Sequence, residues 1–289
     1  MNTYINNRGQ WITEQIKNYV NNSPENSMNV INEKAWEEPL IGFMNGADEL
    51  FKQVKEDIGD FYWEPIDIFK LTYPGTDVTA EELTVISWIL PQTEQTKLMH
   101  RAESKYPSQR WVLSRIYGED FNKKVAQFTV GLLKGEGYDA IAPVLSPLWE
   151  NKKSEKYGYA STWSERHTAY VCGLGTFGLC DGLITPKGKA MRCGSVVAKI
   201  TIEPNKRPYS KWNEYCLYYS KGTCKACIKR CPVQAISEKG HDKLKCRQYQ
   251  REAIKDYMVQ NFHLESMCCG LCQTGVPCEL GIPGITNKV

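Results

Sequence analysis

Cysteines crowd the last quarter of this 289-residue chain, where nine of the twelve lie between residues 216 and 278. At the centre of this stretch Cys224, Cys227 and Cys231 follow the spacing C-x2-C-x3-C, and Pro232 comes directly after the third. Thiolates are soft ligands, and gaps of two or three residues let consecutive thiolates turn toward one metal centre. The stretch is therefore predicted to fold around metal rather than around an apolar core.

The spacing matches the second half of the bacterial ferredoxin motif, in which the cysteine before proline binds the other of two [4Fe–4S] clusters. Each cluster takes four thiolates, so two clusters take eight. Exchange of the last cysteine between the two motifs predicts two ligand sets. The first set is Cys216, Cys224, Cys227 and Cys278, and the second set is Cys231, Cys246, Cys269 and Cys272.

Several alternatives are open for these cysteines. Pairs of the form C-x2-C also bind structural zinc, but zinc leaves the proline after Cys231 and the complement of eight thiolates unexplained. Cys268 stands beside Cys269 and is an alternative ligand of the second set. The three remaining cysteines are predicted to be small buried apolar residues rather than redox or metal-binding groups. They are Cys172, Cys180 and Cys193.

Length and charge narrow the classes of protein. The chain has 36 Lys and Arg against 33 Asp and Glu, and a net charge of +3 disfavours a broad polyanion-binding surface. A chain of 289 residues can bury a full core and suits one large or two modest domains. No apolar run reaches the roughly 18–20 residues of a transmembrane helix. The first residues lack the apolar segment of a secretory signal, so we expect a cytoplasmic protein.

Periodicity along the chain predicts three regions: a helical region at residues 1–75, an α/β core at residues 76–205 and a ferredoxin-like domain at residues 206–289. Strands are predicted at residues 82–90, 138–145 and 194–202, where branched apolar residues are concentrated. A further helix is predicted to end at Gly135. Asp120 is expected to cap its start, because a carboxylate accepts the orphan amide protons there.

A glycine-rich stretch at residues 163–188 is the second informative part of the sequence. Ser164 or Thr162 is predicted to cap a helix that ends at Gly173. Gly173, Gly175 and Gly178 leave backbone open to close approach by a large flat or phosphate-bearing ligand. These glycines follow a helix instead of opening one after a strand, which disfavours a nicotinamide dinucleotide.

Together the two stretches resemble the superfamily of epoxyqueuosine reductases and reductive dehalogenases, which are corrinoid-dependent iron–sulfur reductases. The resemblance rests on Val-Cys-Gly-Leu-Gly-Thr-Phe-Gly at residues 171–178, on Leu-Ile-Thr-Pro at residues 183–186, and on the cysteine motifs that follow. It covers roughly residues 80–280. It implies an α+β fold, in which an α/β sandwich with a nitroreductase-like, corrinoid-binding core precedes a C-terminal ferredoxin-like domain with two [4Fe–4S] clusters.

The resemblance also implies a cofactor site and a proton donor. A cobalamin would be held base-off near the proximal cluster by backbone at Gly173, Leu174, Gly175, Gly178, Leu183, Ile184 and Thr185. Asp120 stands in the segment Tyr-Gly-Glu-Asp-Phe-Asn-Lys and matches the aspartate that donates the proton in epoxyqueuosine reductases. A general acid suits such a reduction, because a departing oxygen needs a proton.

The predicted function is reductive cleavage of a carbon–oxygen or carbon–halogen bond in a small or nucleoside-like substrate. A ferredoxin- or flavodoxin-type partner is expected to supply the electrons. Phe121 and Asn122 replace a tyrosine and a histidine of the family pattern, so substrate recognition is expected to differ. The sequence does not continue into the C-terminal helical repeats of longer epoxyqueuosine reductases, which disfavours a tRNA substrate.

Two alternatives concern the function as a whole. In the first alternative, the chain is a non-catalytic two-cluster electron-transfer protein that docks a partner enzyme. A flavin could also take the place of the corrinoid, since the core of the family resembles nitroreductase folds.

Overall fold

The computed structural model describes residues 2–284, and an antiparallel four-stranded sheet lies at its centre. The described strands are β1 (Leu40–Asn45), β2 (Thr84–Pro91), β3 (Ala140–Ile141), β4 (Asn151–Lys152), β5 (Ala160–Ser161), β6 (Thr176–Phe177), β7 (Leu183–Ile184), β8 (Met191–Ala198), β9 (Ile236–Ser237) and β10 (Gly240–His241). The central sheet has the order β1-β2-β8-β3, and the other strands form the short antiparallel pairs β4–β5, β6–β7 and β9–β10.

Helices surround this sheet and continue into the cysteine-rich region. They are α1 (Asn2–Asn22), α2 (Glu49–Ile58), α3 (Pro65–Thr72), α4 (Glu94–Ala102), α5 (Gln109–Gly135), α6 (Glu165–Val171), α7 (Leu217–Lys221), α8 (Ala226–Arg230), α9 (Lys243–Tyr249) and α10 (Lys255–Phe262). A π-helical segment, Gln250–Ile254, joins α9 to α10. Within residues 2–284, no helix has both the length and the apolar character needed to cross a membrane.

Strand β2 divides the apolar core into two halves, because its side chains alternate between the two faces of the sheet. Val85 and Ile89 pack on one face against residues of α2, α3 and α6. Ile86, Trp88 and Leu90 pack on the other face against residues of α1 and α5. All eight residues of the strand are buried. The sheet thus lies between two layers of helices, which confirms the predicted mixed α+β class.

The three strands predicted from branched apolar residues all belong to the central sheet. The prediction at residues 82–90 corresponds to β2, and the one at residues 194–202 overlaps β8, which begins earlier at Met191. The prediction at residues 138–145 corresponds to the two-residue strand β3 and a 3₁₀ turn at Pro143–Leu145.

Strand β1 was not predicted, since residues 40–45 fall inside the region expected to be helical. It forms an edge of the central sheet and pairs with β2 from Leu40 opposite Ile89 to Asn45 opposite Thr84. Gly42 lets the strand lie close to the turn after α6, where an added Cβ would come 2.6 Å from the carbonyl oxygen of Cys172. The proposed division into three domains stays a prediction, but the first region contributes directly to the core sheet.

The prediction that Asp120 caps a helix is wrong. Helix α5 begins eleven residues earlier at Gln109, and the hydroxyl of Ser108 caps it by accepting a hydrogen bond from the amide of Trp111. Asp120 lies in the middle of the helix with an exposed side chain, and its carboxylate pairs with Lys123 at 2.9 Å.

Polar contacts fasten the cysteine-rich region to the core. Arg101 of α4 donates to Glu279 at 2.8 Å, and the Glu279 side chain is only 4% exposed. Arg230 of α8 donates to backbone carbonyls at the end of α4 and in the loop at residues 271–274. The cysteine-rich region therefore packs against the core as part of one body. Its ferredoxin-like character stays a prediction.

Candidate functional site

The first set of cysteines surrounds a single cavity. Cys216, Cys224, Cys227 and Cys278 all line a space of about 350 Å³, part of which is open to solvent. The core contributes to the same wall through Gly178, Leu179, Ile184 and Lys189. Four thiols separated along the chain are thus brought together where the core meets the cysteine-rich region.

Strands β6 and β7 form a hairpin of the core, called here the core hairpin. A tight turn at residues 185–188 follows it and brings it against Cys278. The backbone amide of Lys189 donates to the carbonyl of Cys278 at 3.1 Å. Gly188 has a φ of +84°, and a Cβ at this position would lie 1.8 Å from the carbonyl oxygen of Glu279. Only glycine permits both this conformation and this contact, so the turn is shaped for the chain segment that carries the last cysteine.

The second set lies outside the cavity that the first set surrounds. Each of its four cysteines is half-buried. Cys231 accepts a hydrogen bond from the amide of Ala235 at 3.2 Å, and Cys246 in α9 accepts one from the side chain of Gln250 at 3.3 Å. Burial raises the pKa of Cys269 to about 12, and the nearby Cys246 and Cys231 act in the same direction. These thiols are therefore neighbours.

Cys268 differs from Cys269 in its surroundings. Its side chain is buried in an apolar cluster with Trp111 and Met258. Burial raises the pKa of this thiol to about 11, while Arg192 and Arg115 oppose the shift. Cys269, in contrast, neighbours two cysteines of the second set. This arrangement favours Cys269 as the ligand, and the assignment stays a prediction.

The donor set fits iron–sulfur clusters better than a mononuclear metal. Within residues 2–284, no three His, Cys, Asp or Glu side chains converge closely enough to hold a single metal ion. A [4Fe–4S] cluster instead takes its four thiolates from around a larger body, one at each iron. Four thiols around one cavity, with four more beside it, provide the soft donors that two such clusters need.

The three extra cysteines are all buried, as predicted. Cys172 and Cys193 belong to the apolar core on the α2 side of the sheet, with 0% and 7% exposure. Cys180 lies in a polar place instead. Its sulfur accepts a hydrogen bond from the ammonium of Lys189 at 3.2 Å, and the Cys227 and Cys272 thiols lie nearby.

The glycine-rich stretch forms α6, a turn and the β6–β7 hairpin. Gly173 ends the helix with a φ of +81°, as predicted. At Gly175 an added Cβ would lie 2.3 Å from the carbonyl oxygen of Ile184, so this glycine allows the two strands of the hairpin to pack closely. Leu174, Leu183, Ile184 and Thr185 are buried. Of these residues, Gly178 and Ile184 reach the first-set cavity.

A much larger cavity adjoins the hairpin and encloses about 1530 Å³ of empty space, part of it open to solvent. Its wall is formed by α2, by the β4–β5 pair with the loop between those strands, and by α6. Phe177, Asp181, Trp212 and Lys243 complete it. Because Phe177 lines this cavity and the next residue, Gly178, lines the first-set cavity, the hairpin separates two adjacent spaces.

Charged groups and neutral polar groups both lie at the large cavity. Lys243 lies 3.8 Å from Asp181, and His241 pairs with the same carboxylate at 3.2 Å. The Nδ1 of His167 and the hydroxyl of Ser164 share a hydrogen bond of 2.8 Å, and the imidazole ring packs against Phe177. Burial lowers the pKa of His167 to about 3, so this imidazole is neutral at physiological pH.

Glu165 is a candidate residue that the sequence does not single out. Both oxygens of its carboxyl group are buried, and Ser195 and Trp163 lie beside them. Burial raises its pKa to about 7. Its neighbours in the chain, Ser164 and Arg166, line the large cavity. A glutamate in the first turn of a helix is ordinarily explained by the helix dipole, so sequence alone carries no signal of this environment.

Asp120, the predicted proton donor, faces solvent, whereas its neighbour Glu119 faces inward. Glu119 pairs with Arg115 at 2.9 Å and with Arg192 at 3.3 Å. Asn122, beyond Asp120, is buried and links Trp88 to the carbonyl of Cys193. The catalytic assignment of Asp120 stays a prediction.

Comparison with known proteins gives structural matches alone, since no family model and no curated protein sequence matches the chain. A catabolic reductive dehalogenase in complex with 3-bromo-4-hydroxybenzoic acid is 14% identical with a TM-score of 0.53, and the match covers 85% of this chain and 30% of that one. A reductive dehalogenase whose structure suggests a mechanism for B12-dependent dehalogenation has a TM-score of 0.52 at the same identity and coverage.

An epoxyqueuosine reductase with an epoxyqueuosine-modified tRNA-Tyr stem loop is 16% identical with a TM-score of 0.48, covering 95% of this chain and 67% of that one. This chain spans less than a third of the length of the dehalogenase chains. Likeness at 14% identity concerns the fold. The chain therefore has the fold seen in part of these reductive dehalogenase structures, which is the fold that the resemblance implies.

Proposed function

We propose that the chain is a corrinoid-dependent reductase with two [4Fe–4S] clusters that cleaves a carbon–oxygen or carbon–halogen bond. The observation that supports this most directly is the cavity shared by the four thiols of the first set and the core hairpin. A cluster in this cavity would lie beside the part of the core that resembles the corrinoid-binding segment of the superfamily.

The first set would hold the cluster nearer the core, and the second set would hold the other one. The large cavity would take the corrinoid, against backbone of the glycine-rich stretch that includes Gly178 and Ile184. Phe177 and Gly178 are adjacent residues that face the two cavities, so a cofactor there would lie close to the first cluster. The corrinoid, when bound, would supply the reductive bond cleavage.

Residues of the chain would position the substrate and supply a proton. The wall of the large cavity offers aromatic side chains such as Tyr157 and Trp212 and cations such as Arg166. These groups suit a small or nucleoside-like substrate with a flat ring and an anionic or polar edge. Glu165, whose pKa is raised to about 7 by burial, is partly protonated near neutral pH and suits a general acid.

Asp120 is the proton donor that the resemblance implies, so the two carboxyl groups make different predictions. Replacement of the true donor should lower turnover about 10²–10⁴-fold. We expect Glu165→Gln to show this loss and Asp120→Asn to keep turnover within about twofold, since Asp120 is exposed and paired with Lys123. Loss of turnover in Asp120→Asn alone would restore the assignment made from the resemblance.

The electron donor would be an acidic carrier protein of the ferredoxin or flavodoxin type. Residues 206–247 hold eleven Lys and Arg against three Asp and Glu. Trp212, at the edge of the large cavity, and Tyr219 are 51% and 38% exposed, and they contact each other. A basic surface with exposed aromatic rings favours docking of an acidic partner.

The same surface favours a second candidate function, a two-cluster electron-transfer protein without a reaction of its own. Its basic charge and exposed rings serve an electron carrier equally well. The two functions differ in whether the large cavity takes a cofactor. A flavin in that cavity would be a third outcome.

Anaerobic reconstitution tests these functions. The chain is supplied with iron, sulfide and hydroxocobalamin, freed of excess reagents, and analysed for metal content and visible absorbance. About eight irons and one cobalt per chain, with a base-off corrinoid spectrum, are expected for the proposed reductase. About eight irons without cobalt would favour the electron carrier, and absence of iron would overturn both. A parallel sample with flavin in place of hydroxocobalamin tests the third outcome.

A further inference from the structure

Lys189 is a buried cation at the edge of the first-set cavity. Its side chain lines that cavity, and the residue is only 2% exposed. Its ammonium donates to the sulfur of Cys180 at 3.2 Å. Among the described residues, no carboxylate lies within ion-pair distance of this ammonium.

Cys180 lies between the two sets of cysteines. It is 5% exposed, and its sulfur neighbours Cys227 of the first set and Cys272 of the second. The pair formed by Lys189 and Cys180 thus stands at the boundary between the two candidate clusters, and belongs to neither of the predicted sets.

A buried ammonium is costly unless negative charge lies beside it. The groups that surround Lys189 are thiols: Cys180, Cys278, Cys272 and Cys227. Thiolates bound to a cluster carry the negative charge that this ammonium requires. Two of these thiols, Cys278 and Cys227, belong to the first set, whose cavity Lys189 lines, and one, Cys272, belongs to the second. The ammonium is therefore placed chiefly toward the first cluster.

On the basis of the proposed function, we propose that Lys189 raises the reduction potential of the first cluster above that of the second, and that Cys180 is an unligated thiol that positions the ammonium. A fixed positive charge stabilises the reduced form of a cluster, because reduction adds one negative charge beside it. One electron entering at the second cluster would then pass to the first, oxidising the second cluster and reducing the first.

The test is a redox titration of the fully reconstituted chain, followed by electron paramagnetic resonance. In the wild type, the signal that disappears in Cys227→Ser belongs to the first cluster and is expected to have the higher midpoint. A lower midpoint for that signal overturns the proposal. This measurement uses only the wild type and Cys227→Ser, so it does not require that a variant of Lys189 fold.

The charge itself is tested by Lys189→Met, which keeps the length of the side chain. The equilibrium constant for electron transfer from the second to the first cluster should fall at least tenfold, or 59 mV for a one-electron couple. Lys187→Met removes an exposed charge from the same turn and should change the constant less than twofold. Lys189→Arg keeps the charge and should stay near the wild type. Equal shifts in Lys189→Met and Lys187→Met would contradict the proposal.

The role of Cys180 is tested by Cys180→Ala. This variant should retain about eight irons, since the thiol is not a ligand. A loss of about four irons would show that Cys180 binds a cluster and would overturn its assignment. Iron content also separates the two levels of inference. A wild-type chain that takes up no iron contradicts the proposed function, whereas a normal iron content with unshifted midpoints contradicts only the role of Lys189.

Discussion

The two sets of cysteines are built in different ways. Those of the first set surround one cavity and share it with the core hairpin, and Cys216 and Cys227 are each 8% exposed. Those of the second set are all half-buried, like Cys224 and Cys278 of the first, and none of them lines that cavity. The first set therefore depends on the core for its shape. We infer that a structural change in the core should affect the first cluster more than the second.

The largest effect should come from removal of one ligand from each set. Cys227→Ser and Cys246→Ser should each lose about four of about eight irons, because a cluster needs four thiolates. Iron analysis and electron paramagnetic resonance of the reduced chain would show which cluster remains. Cys172→Ala is the control, since this buried cysteine lies outside both sets, and it should keep all the iron. Loss of the same signal in both serine variants would break the division into two sets.

Gly188→Ala should separate the core from Cys278. A side chain at a φ of +84° is strained by about 1–2 kcal/mol, and the overlap with Glu279 adds about 1–3 kcal/mol. Denaturant unfolding should show this loss, and the first cluster should be lost while the second remains. Gly137→Ala is the matched control, because Gly137 has a φ of +83° with no atom within 4 Å of the added Cβ. Equal losses in both variants would show that the contact with Glu279 is unimportant.

Titration of Glu165 should make the stability of the core depend on pH. Burial raises its pKa from 4.5 to about 7, so the folded state binds more protons than the unfolded state between these values. The contribution of Glu165 to stability is therefore full below pH 4.5 and is lost as pH rises through 7, by roughly 2–3 kcal/mol after allowance for partial exposure of the side chain. Glu165→Gln should remove this slope in urea unfolding between pH 5 and pH 8. An unchanged slope would place the titration elsewhere.

Arg101→Ala should have a smaller effect, confined to the attachment of the first set. It removes the partner of Glu279, which is 4% exposed and follows Cys278. Because Arg101 is partly exposed, we expect a loss of about 2 kcal/mol, below the range for a fully buried pair. Lys123→Ala breaks an exposed pair with Asp120 and should cost less than about 0.5 kcal/mol. Chelator-driven iron loss should be faster in Arg101→Ala alone.

Much of the architecture follows from local sequence, and its omissions have physical reasons. Strand β2 was predicted because residues 82–90 are rich in branched residues, such as Val85, Ile86 and Ile89, and are followed by Pro91. Strand β1 was missed because it is short and contains Gly42, whose use depends on a contact with the distant Cys172. The start of α5 carried a usable signal, since Ser108 follows a proline and is a good cap.

The candidate site was predictable where ligand spacing is local. The C-x2-C-x3-C run places Cys227 on one short helix, with Cys224 before its start and Cys231 at its end. The surroundings of Cys180 were not predictable, since they depend on Lys189 and on thiols more than forty residues away. The same holds for the buried carboxyl of Glu165. Such environments arise from tertiary packing, which leaves no periodic pattern in the sequence.

Arg230 couples the fluctuations of the C-terminal region to those of helix α4. One guanidinium donates to the carbonyls of His100 and Glu103 at the end of α4 and to those of Leu271 and Thr274 in the loop before Cys278. Either segment can leave its place only if these bonds break. The two segments should therefore open as one cooperative unit, and their backbone amides should exchange with deuterium at similar rates despite their distance in the sequence.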